Sequence, residues 1–316
     1  FPELYPYPVP HASAFVLSNL EVAARKHVMT VVATCTDECP RAGWTLTSDD
    51  VDMHLEVELP EADDGSTVGD SRGRVCVTLR DAKSCELKFS VHTLARQGTG
   101  GRLWNSSHRL AQFVFVNQSA LAHQRVVELA CGLGLPALVA AHCGADVLAT
   151  DRCHVLLQNV RRAAVDLDRL SIRQLDFVTA AGMSGAGLRS WDLVLFADCV
   201  YSRKMGSALP NAVLALMKPG GLAVGALPAY GRPGLEEFWA AVKAVGLKWK
   251  PMDAETDTDS YGAGAGCGQE LFGHIYLFWA SSEANLLDGD AELADDSTIS
   301  AESLKPLFVD LELDDA

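Results

Sequence analysis

Two glycines and an acid in the middle of the chain have the types and spacing of a nucleotide-binding site. Gly132 and Gly134 form a Gly-x-Gly turn after a β-branched apolar run, and Asp151 ends the next apolar run. Because glycine lacks a Cβ atom, the backbone at this turn can bend sharply and lie against a ligand. An acid at the end of the second strand can accept hydrogen bonds from two ribose hydroxyls. The pattern therefore predicts the first half of a nucleotide-binding βαβ unit.

The residues around the turn bear on which nucleotide would bind. Gly132, Gly134 and Ala137 also satisfy the G-x-G-x-x-A variant of the dinucleotide pattern, so NAD has to be considered. Pyrophosphate binds to free N–H groups at a helix N-terminus, and Pro136 removes one of these donors. Glu128 suits a ligand with an ammonium group, or else a hydrogen bond to the loop backbone. S-adenosylmethionine has ribose, adenine, an amino-acid end and no phosphate, so the pattern favours it over NAD.

Other residues with useful chemistry follow later predicted strands. Asp176 and Phe177 follow the third strand of this region, and Asp198 and Tyr201 follow the fourth, which ends at Ala197. Open α/β sheets bind ligands beyond the carboxyl ends of their strands. Structural roles remain open for these residues: Asp176 as an ordinary turn acid, Asp198 as the cap of the next helix, and Tyr201 as a buried aromatic.

The elements that must position these residues alternate between strands and helices. The predicted strands are 126–130, 145–150, 171–175, 192–197, 222–227, 247–250 and 272–279. The predicted helices are 108–116, capped by Ser106 or Ser107, and 136–143, 153–167, 204–217 and 233–245. This alternation predicts a Rossmann-like α/β fold, a doubly wound and mostly parallel sheet. The last strand follows a loop rich in Asp and Gly at 253–268, so we expect an antiparallel edge strand.

The chain divides by composition into three parts, with a main domain over residues 99–280. Residues 1–98 form an N-terminal extension with a small β region, because runs at 51–59, 74–79 and 85–94 have strand character, the first two with a period of two. An exposed loop is predicted between the first two of these runs. The last part, 281–316, holds eleven acids and one base, and we expect this acidic tail to be largely disordered.

Charge and cysteine content limit the possible partners and compartment. The formal net charge is −15, most of it in the tail, and no basic patch suggests nucleic-acid binding. Nine cysteines without a second pair to complete a zinc site at Cys35 and Cys39 indicate a reduced compartment and no metal. No stretch is long and apolar enough for a membrane span. We therefore expect a monomer, cytoplasmic and with nuclear residence as an alternative, without membrane or nucleic-acid partners.

Taken together, these motifs resemble the class I, seven-β-strand S-adenosylmethionine-dependent methyltransferases, and more narrowly the protein-lysine methyltransferase branch of the methyltransferase-like proteins. Four features over residues 99–280 carry the resemblance: Trp104 in a Gly-x-x-x-Trp-x-x-Ser context, the Glu-x-x-x-Gly-x-Gly-Leu-Pro turn, Leu-Asp-Phe at 175–177, and Asp198-x-x-Tyr201. The chain departs from the family pattern at four positions. Alanine stands at positions 130 and 137 where glycine is usual, phenylalanine replaces tryptophan at 177, and Asn159 lacks a following second asparagine.

The resemblance implies S-adenosyl-L-methionine as the cofactor and assigns residues to it. Asp176 and Phe177 would hold the adenine, with the carboxylate or backbone on the exocyclic amine and the ring beside the base. Ala197 would contribute backbone to the cleft. The full set of implied cofactor-binding residues is Trp104, Glu128, Gly132, Gly134, Asp151, Asp176, Phe177 and Ala197.

The catalytic residues implied by the resemblance are Asp198 and Tyr201. Methyl transfer from a sulfonium is an in-line displacement, so the main task is to hold a neutral amine against the methyl carbon. A carboxylate can orient the amine hydrogens and favour the cation that forms, and a tyrosine can position it. The leading hypothesis is methylation of a lysine side chain on another protein. Alternatives are a small amine or a histidine side chain as acceptor, and a catalytically inactive binding module.

Overall fold

The computed structural model describes residues 51–58, 72–81, 85–94, 98–180, 189–228, 232–252 and 274–280. The N-terminal 50 residues, the loops predicted between the first two strands and at 253–268, and the acidic tail 281–316 lie outside the described residues. Within the described parts, no helix has the length and apolar character that crossing a membrane would require.

The first described elements form a three-stranded antiparallel sheet. Its strands are β1 (Val51–Glu58), β2 (Arg72–Asp81) and β3 (Glu86–Leu94), in the order β1-β2-β3. Val75, Val77 and Leu79 alternate along β2 and are all buried, because successive side chains of a strand point to opposite faces. The small β region predicted from the period of two is therefore confirmed.

The main sheet has seven strands, and their order explains where a ligand can bind. The strands are β4 (Arg125–Leu129), β5 (Asp146–Asp151), β6 (Leu170–Gln174), β7 (Trp191–Ala197), β8 (Met217–Leu227), β9 (Leu247–Pro251) and β10 (His274–Ala280). They lie in the order β6-β5-β4-β7-β8-β10-β9. The first five pair in parallel, as in a doubly wound Rossmann sheet, whose strand order reverses beside its first strand. The reversal therefore falls between β4 and β7.

The predicted antiparallel pairing at one edge of the sheet is confirmed. Strand β10 runs antiparallel to both β8 and β9, so it lies one place in from the edge, and β9 is the edge strand. The chain reaches this position because β10 inserts between two strands that precede it in sequence.

Helices cover both faces of the main sheet. They are α1 (Asn105–Val116), α2 (Gln118–Leu121), α3 (Leu135–His142), α4 (His154–Ala163), α5 (Phe177–Ala180), α6 (Arg203–Leu216) and α7 (Leu235–Ala244). Successive residues of β4 point to different cores: Val126 packs with α1, α3 and α4, and Val127 packs with α6 and α7. A strand buried on both faces reads as a continuous apolar run, which is what the sequence shows here.

Two helix boundaries differ from the sequence prediction. Helix α1 begins at Asn105, so Ser106 lies inside its first turn and cannot be its cap; Trp104 takes that position without a side-chain cap hydrogen bond. Ser107 is excluded as the cap for the same reason. Helix α4 ends at Ala163, four residues earlier than the polar-apolar pattern indicates.

The small sheet and the main domain share one hydrophobic core. Val77 and Val91 belong to the same buried cluster as the apolar residues of α1, α3 and α4. The rings of Phe89 and His142 lie 5.2 Å apart between centroids. The buried Asn159 amide in α4 donates a hydrogen bond to the backbone carbonyl of His92 in β3. The small sheet is thus attached to the helices that carry the glycine turn.

Candidate active site

The glycine turn between β4 and α3 is built from three left-handed residues. Ala130, Gly132 and Gly134 have φ angles of 51°, 56° and 74°. A Cβ atom at Gly132 would come within 3.3 Å of the Gly100 carbonyl oxygen, and one at Gly134 within 2.9 Å of the Val160 side chain. Both glycines are therefore required by backbone conformation and by close packing. The contact with Gly100 also brings the segment that leads to Trp104 against the turn.

We expect Ala130→Gly to stabilise the protein. A left-handed conformation costs a residue with a Cβ atom about 1–2 kcal/mol, whereas the greater freedom of glycine in the unfolded chain costs about 0.5–1 kcal/mol. The free energy of unfolding, measured by urea denaturation, should rise by about 0.5–1 kcal/mol. Ala140→Gly, in the helical conformation of α3, is the matched control and should lower it. Destabilisation by Ala130→Gly would show that the alanine methyl group supports the turn.

Four adjacent parallel strands each carry one acid at the carboxyl end of the sheet. In sheet order these are Asp176 after β6, Asp151 at the end of β5, Glu128 near the end of β4 and Asp198 after β7. They lie on both sides of the position where the strand order reverses, which is where open α/β sheets bind ligands. The structure therefore places the four acids predicted from separate motifs side by side at the carboxyl end of the sheet.

Asp151 ties the end of β5 to the glycine turn. Its Oδ2 atom accepts a hydrogen bond from the Gly132 backbone N–H at 3.0 Å, and Oδ1 accepts one from the Cys153 N–H at 2.9 Å. Burial raises the pKa of Asp151 above its usual value, and the hydrogen bonds from Cys153 and Gly132 oppose this shift. A carboxylate has about four acceptor positions, so Asp151 can accept a further hydrogen bond beyond those from the backbone.

Glu128 lies beneath the turn, with only 1% of its surface exposed. Its Oε2 atom accepts a hydrogen bond from the Ala137 N–H at 2.8 Å, at the start of α3. Burial raises its pKa well above the usual value; the Ala137 hydrogen bond opposes this shift, and the charge of Asp151 adds to it. The backbone partner that the sequence analysis allowed for Glu128 is therefore present, at a helix N-terminus that attracts negative charge.

Asp176 and Phe177 have well-defined structural surroundings. The Oδ1 atom of Asp176 accepts a hydrogen bond from the Val178 N–H at 3.0 Å, so this residue does act as a turn acid at the start of α5. Phe177 is 4% exposed and belongs to the core cluster around α6 and α7. The adenine-binding role of this pair stays a prediction. Ala197 is half-buried and is the last residue of β7, at the carboxyl end of the sheet.

Asp198 combines a left-handed backbone, burial and one unpaired oxygen. Its φ angle is 49°, and its side chain is 8% exposed. Oδ2 accepts a hydrogen bond from Arg232 at 3.0 Å, whereas Oδ1 is buried and has no hydrogen-bond partner among the residues that the structure describes. Burial raises the pKa of Asp198, and Arg232 opposes the shift. The helix-cap alternative is wrong, because the Ser202 hydroxyl caps α6 by accepting a hydrogen bond from the Met205 N–H.

The ring of Trp104 joins this arrangement through Arg232. The guanidinium carbon of Arg232 lies 5.4 Å from the ring centroid of Trp104, within the range of a cation–π contact. Tyr201 is half-buried and packs against the core cluster around α6 and α7. Arg232 has no signal in the sequence, since it lies in a loop outside the four motifs and no local spacing relates it to Asp198.

The strand order is that of a doubly wound, Rossmann-like sheet, and the four acids lie where such sheets bind ligands. In agreement, residues 83–228 match the family model described as lysine methyltransferase, which confirms the resemblance seen in the sequence.

Curated relatives match shorter segments. The chain is 31% identical over 125 residues to protein N-lysine methyltransferase METTL21A of Danio rerio, a match that covers 36% of this chain and 54% of that protein. It is 36% identical over 97 residues to histone-arginine methyltransferase METTL23 of Xenopus laevis, covering 30% of this chain and 36% of the relative. It is 30% identical over 136 residues to protein N-terminal and lysine N-methyltransferase efm7 of Schizosaccharomyces pombe, covering 35% and 52%. The chain thus spans about half the length, or less, of these relatives.

Proposed function

We propose that the protein is an S-adenosylmethionine-dependent methyltransferase that transfers a methyl group to a lysine side chain of another protein. The observation that carries this proposal is the placement of Glu128, Asp151 and Asp198 at the carboxyl ends of three adjacent strands around the glycine turn. The match of residues 83–228 to the lysine methyltransferase family supports the reaction class.

The residues fit S-adenosylmethionine better than a phosphate-bearing nucleotide. Three carboxyl groups whose pKa values are all raised by burial favour a cationic ligand, because a positive charge beside them would lower their free energy of ionisation. Asp151 would bind the ribose hydroxyls. Glu128 would hold the glycine turn on α3 and contribute negative potential near the amino-acid end. Trp104, Gly132, Gly134, Asp176, Phe177 and Ala197 would complete the cofactor site.

When bound, the cofactor supplies an electrophilic methyl group on a sulfonium. The task of the protein is to bring an uncharged amine nitrogen in line with that methyl group. Asp198 offers its unpaired Oδ1 atom as an acceptor for an amine hydrogen. That hydrogen bond would fix the direction of the nitrogen lone pair, and the carboxylate would stabilise the methylammonium that forms. Tyr201, three residues further on, would limit the position of the amine.

Several finer features belong to the same proposal. We infer that the protein acts as a monomer on a protein partner, in the cytoplasm and with nuclear residence as the alternative. The mild charge of residues 1–280 gives no support to a nucleic-acid substrate. The small β1–β3 sheet would contribute to acceptor choice, since it packs on the helices that support the glycine turn.

The decisive experiment is transfer of labelled methyl from S-adenosylmethionine into proteins of a cell lysate, followed by identification of the labelled residue. We expect methyllysine in protein, and no label when Asp198→Ala replaces the wild type. Methylhistidine or a labelled small amine would favour the alternative acceptors. Binding of S-adenosylhomocysteine without any transfer would favour an inactive binding module, and calorimetry that detects NADH binding instead would reject the proposal.

Arginine is a second acceptor to test because of the METTL23 match. The structure holds a guanidinium, that of Arg232, between Asp198 and Trp104. The same labelled proteins distinguish the two acceptors, since methylarginine and methyllysine separate on hydrolysis. Methylarginine alone would move the chain's proposed activity from lysine to arginine.

A further inference from the structure

Arg232 is held in a fixed position beside the carboxyl edge of the sheet. Two residues after it, Gly234 adopts a φ angle of 97°, and a Cβ atom there would lie 2.2 Å from the Ser202 carbonyl oxygen. A Cβ atom at Gly206 would lie 2.0 Å from the Gly234 carbonyl oxygen. The N-termini of α6 and α7 therefore meet backbone to backbone. This contact fixes residues 232–234 against the segment that follows Asp198.

The two carboxylate oxygens of Asp198 differ because the guanidinium of Arg232 contacts only one of them. It donates a hydrogen bond to Oδ2 at 3.0 Å, and its central carbon lies 5.4 Å from the centroid of the Trp104 ring. Within the part of the chain that the structure describes, Oδ1 is buried and has no hydrogen-bond partner, and only 8% of the Asp198 side chain is exposed. A buried carboxylate oxygen with no hydrogen bond is costly, so such an atom points to a ligand that supplies the missing donor.

We propose that Arg232 is a positioning residue for the methyl acceptor: it holds Asp198 by Oδ2 so that Oδ1 is presented to the acceptor amine. This inference rests on the proposed function and deepens it. Without Arg232, the carboxyl group could rotate about its Cβ–Cγ bond, and either oxygen could turn toward neighbouring donors. The arginine also opposes the rise in the pKa of Asp198 that burial causes, in surroundings that include the buried thiol of Cys199.

The proposal differs from a role in cofactor binding and from a blocking role. A residue that binds the cofactor would change the affinity for S-adenosylhomocysteine when replaced. A residue that merely covers the acceptor site would slow transfer, so its removal would speed the reaction. Replacing a positioning residue gives neither result: the affinity for S-adenosylhomocysteine is unchanged, and the turnover rate falls.

The test compares R232Q and R232K with wild type, using a lysine-peptide array and S-adenosylmethionine with a labelled methyl group. We expect R232Q to lower kcat about tenfold or more while the dissociation constant of S-adenosylhomocysteine, measured by calorimetry, changes less than about twofold. The acid limb of the kcat–pH profile should move to higher pH, because loss of the guanidinium raises the pKa of Asp198. R232K keeps a cation and should recover part of the rate and the wild-type pH profile.

The matched control is R203Q. Arg203 lies at the same junction of α6 and α7 and pairs with Glu237 at 3.2 Å, but its side chain is 86% exposed. R203Q should leave transfer and its pH profile unchanged. Equal or faster transfer by R232Q, or a parallel loss of S-adenosylhomocysteine affinity, overturns the role of Arg232. If wild type binds S-adenosylhomocysteine but transfers no methyl group to any peptide or to lysate protein, the proposed function fails instead.

Discussion

Replacing Asp198 with asparagine is expected to reduce methyl transfer by about 10²–10⁴-fold, the range found when a group that handles a proton of the reacting centre is removed. The affinity for S-adenosylhomocysteine should stay near that of the wild type. The reason is local: Oδ1 of Asp198, which no described residue hydrogen-bonds, would contact the acceptor, whereas the ribose would bind Asp151, two strands away in the sheet. Steady-state transfer and calorimetry on the same preparation would measure both effects.

Folding should not limit this experiment. Burial raises the pKa of Asp198 in the folded protein, so its ionised form is less stable there than in the unfolded chain. The contribution of Asp198 to stability is therefore complete below its unfolded pKa and is lost as the pH rises through the raised folded value. Asp198→Asn removes this loss, and Arg232 is 31% exposed and can be solvated. The free energy of unfolding of the variant at neutral pH should be at least as large as that of the wild type.

Asp192→Asn provides the control on the same strand. Asp192 accepts a hydrogen bond from the Arg125 N–H at 2.8 Å and pairs with Lys218, near the opposite end of β7, with 12% of its side chain exposed. It resembles Asp198 in charge and in side-chain burial, but it lies near the start of β7, whereas Asp198 follows the carboxyl end of that strand. Transfer should survive its replacement. Wild-type transfer by Asp198→Asn would remove Asp198 from the mechanism.

Replacing Glu128 with glutamine is expected to make the protein more stable and its cofactor binding weaker. Gln keeps an oxygen to accept the hydrogen bond from Ala137 but carries no charge. The loss of charge near the cofactor's amino-acid end should weaken binding of S-adenosylhomocysteine by about 1–3 kcal/mol, roughly 5- to 150-fold. Opposite changes in stability and binding are common where a site holds a buried charge for function.

The gain in stability expected for Glu128→Gln depends on pH. Burial raises the pKa of Glu128 well above its usual value, so the wild-type protein is stabilised by the protonated form at low pH and loses that contribution as the pH rises through the raised folded pKa. Glu128→Gln should match wild type at the acid end and exceed it increasingly as the pH rises. Urea denaturation at several pH values would measure the difference in the free energy of unfolding.

Glu86→Gln is the control with the opposite sign. Glu86 is exposed, and hydrogen bonds from Lys88 and Arg80 lower its pKa. Its replacement should therefore give no gain in stability as the pH rises. A Glu128→Gln variant that is less stable than wild type at every pH would show that the Ala137 hydrogen bond needs a charged acceptor.

Much of the fold could be predicted because hydrophobic periodicity and turn residues act locally. Continuous apolar runs ending in acids placed β4, β5 and β7 within a residue or two of their observed positions. The antiparallel pairing of β10 was signalled by the long loop before it. That β10 inserts inside the edge was not predictable, because strand order depends on which surfaces remain unpaired after the other strands have assembled.

The site was predictable where one motif contains all the interacting groups. The βαβ pattern assigned Gly132 and Asp151 to one site, and in the structure the Gly132 N–H donates a hydrogen bond to Asp151 Oδ2 at 3.0 Å. Arg232 was not predictable, since it lies 34 residues from Asp198 in sequence and its approach depends on the packing of two helix N-termini. The prediction that Ser106 or Ser107 caps α1 was wrong for a related reason. Gly100 lies close to the glycine turn and to Leu156, and these long-range contacts position the chain where it enters α1.

The core shared by the two sheets has a consequence for chimaeras between this chain and its relatives. Strand β3 is tied to α4 through Asn159 and His92, and Phe89 contacts His142 in α3. A crossover at residue 98 would join a foreign sheet to helices shaped for this one and leave mismatched apolar surfaces. A chimaera that keeps the packing intact would need a larger block that carries the sheet, α1, α3 and α4 together. Because α3 and α4 also pack around the glycine turn, a substitution in the small sheet that changes these contacts is expected to act on the turn as well.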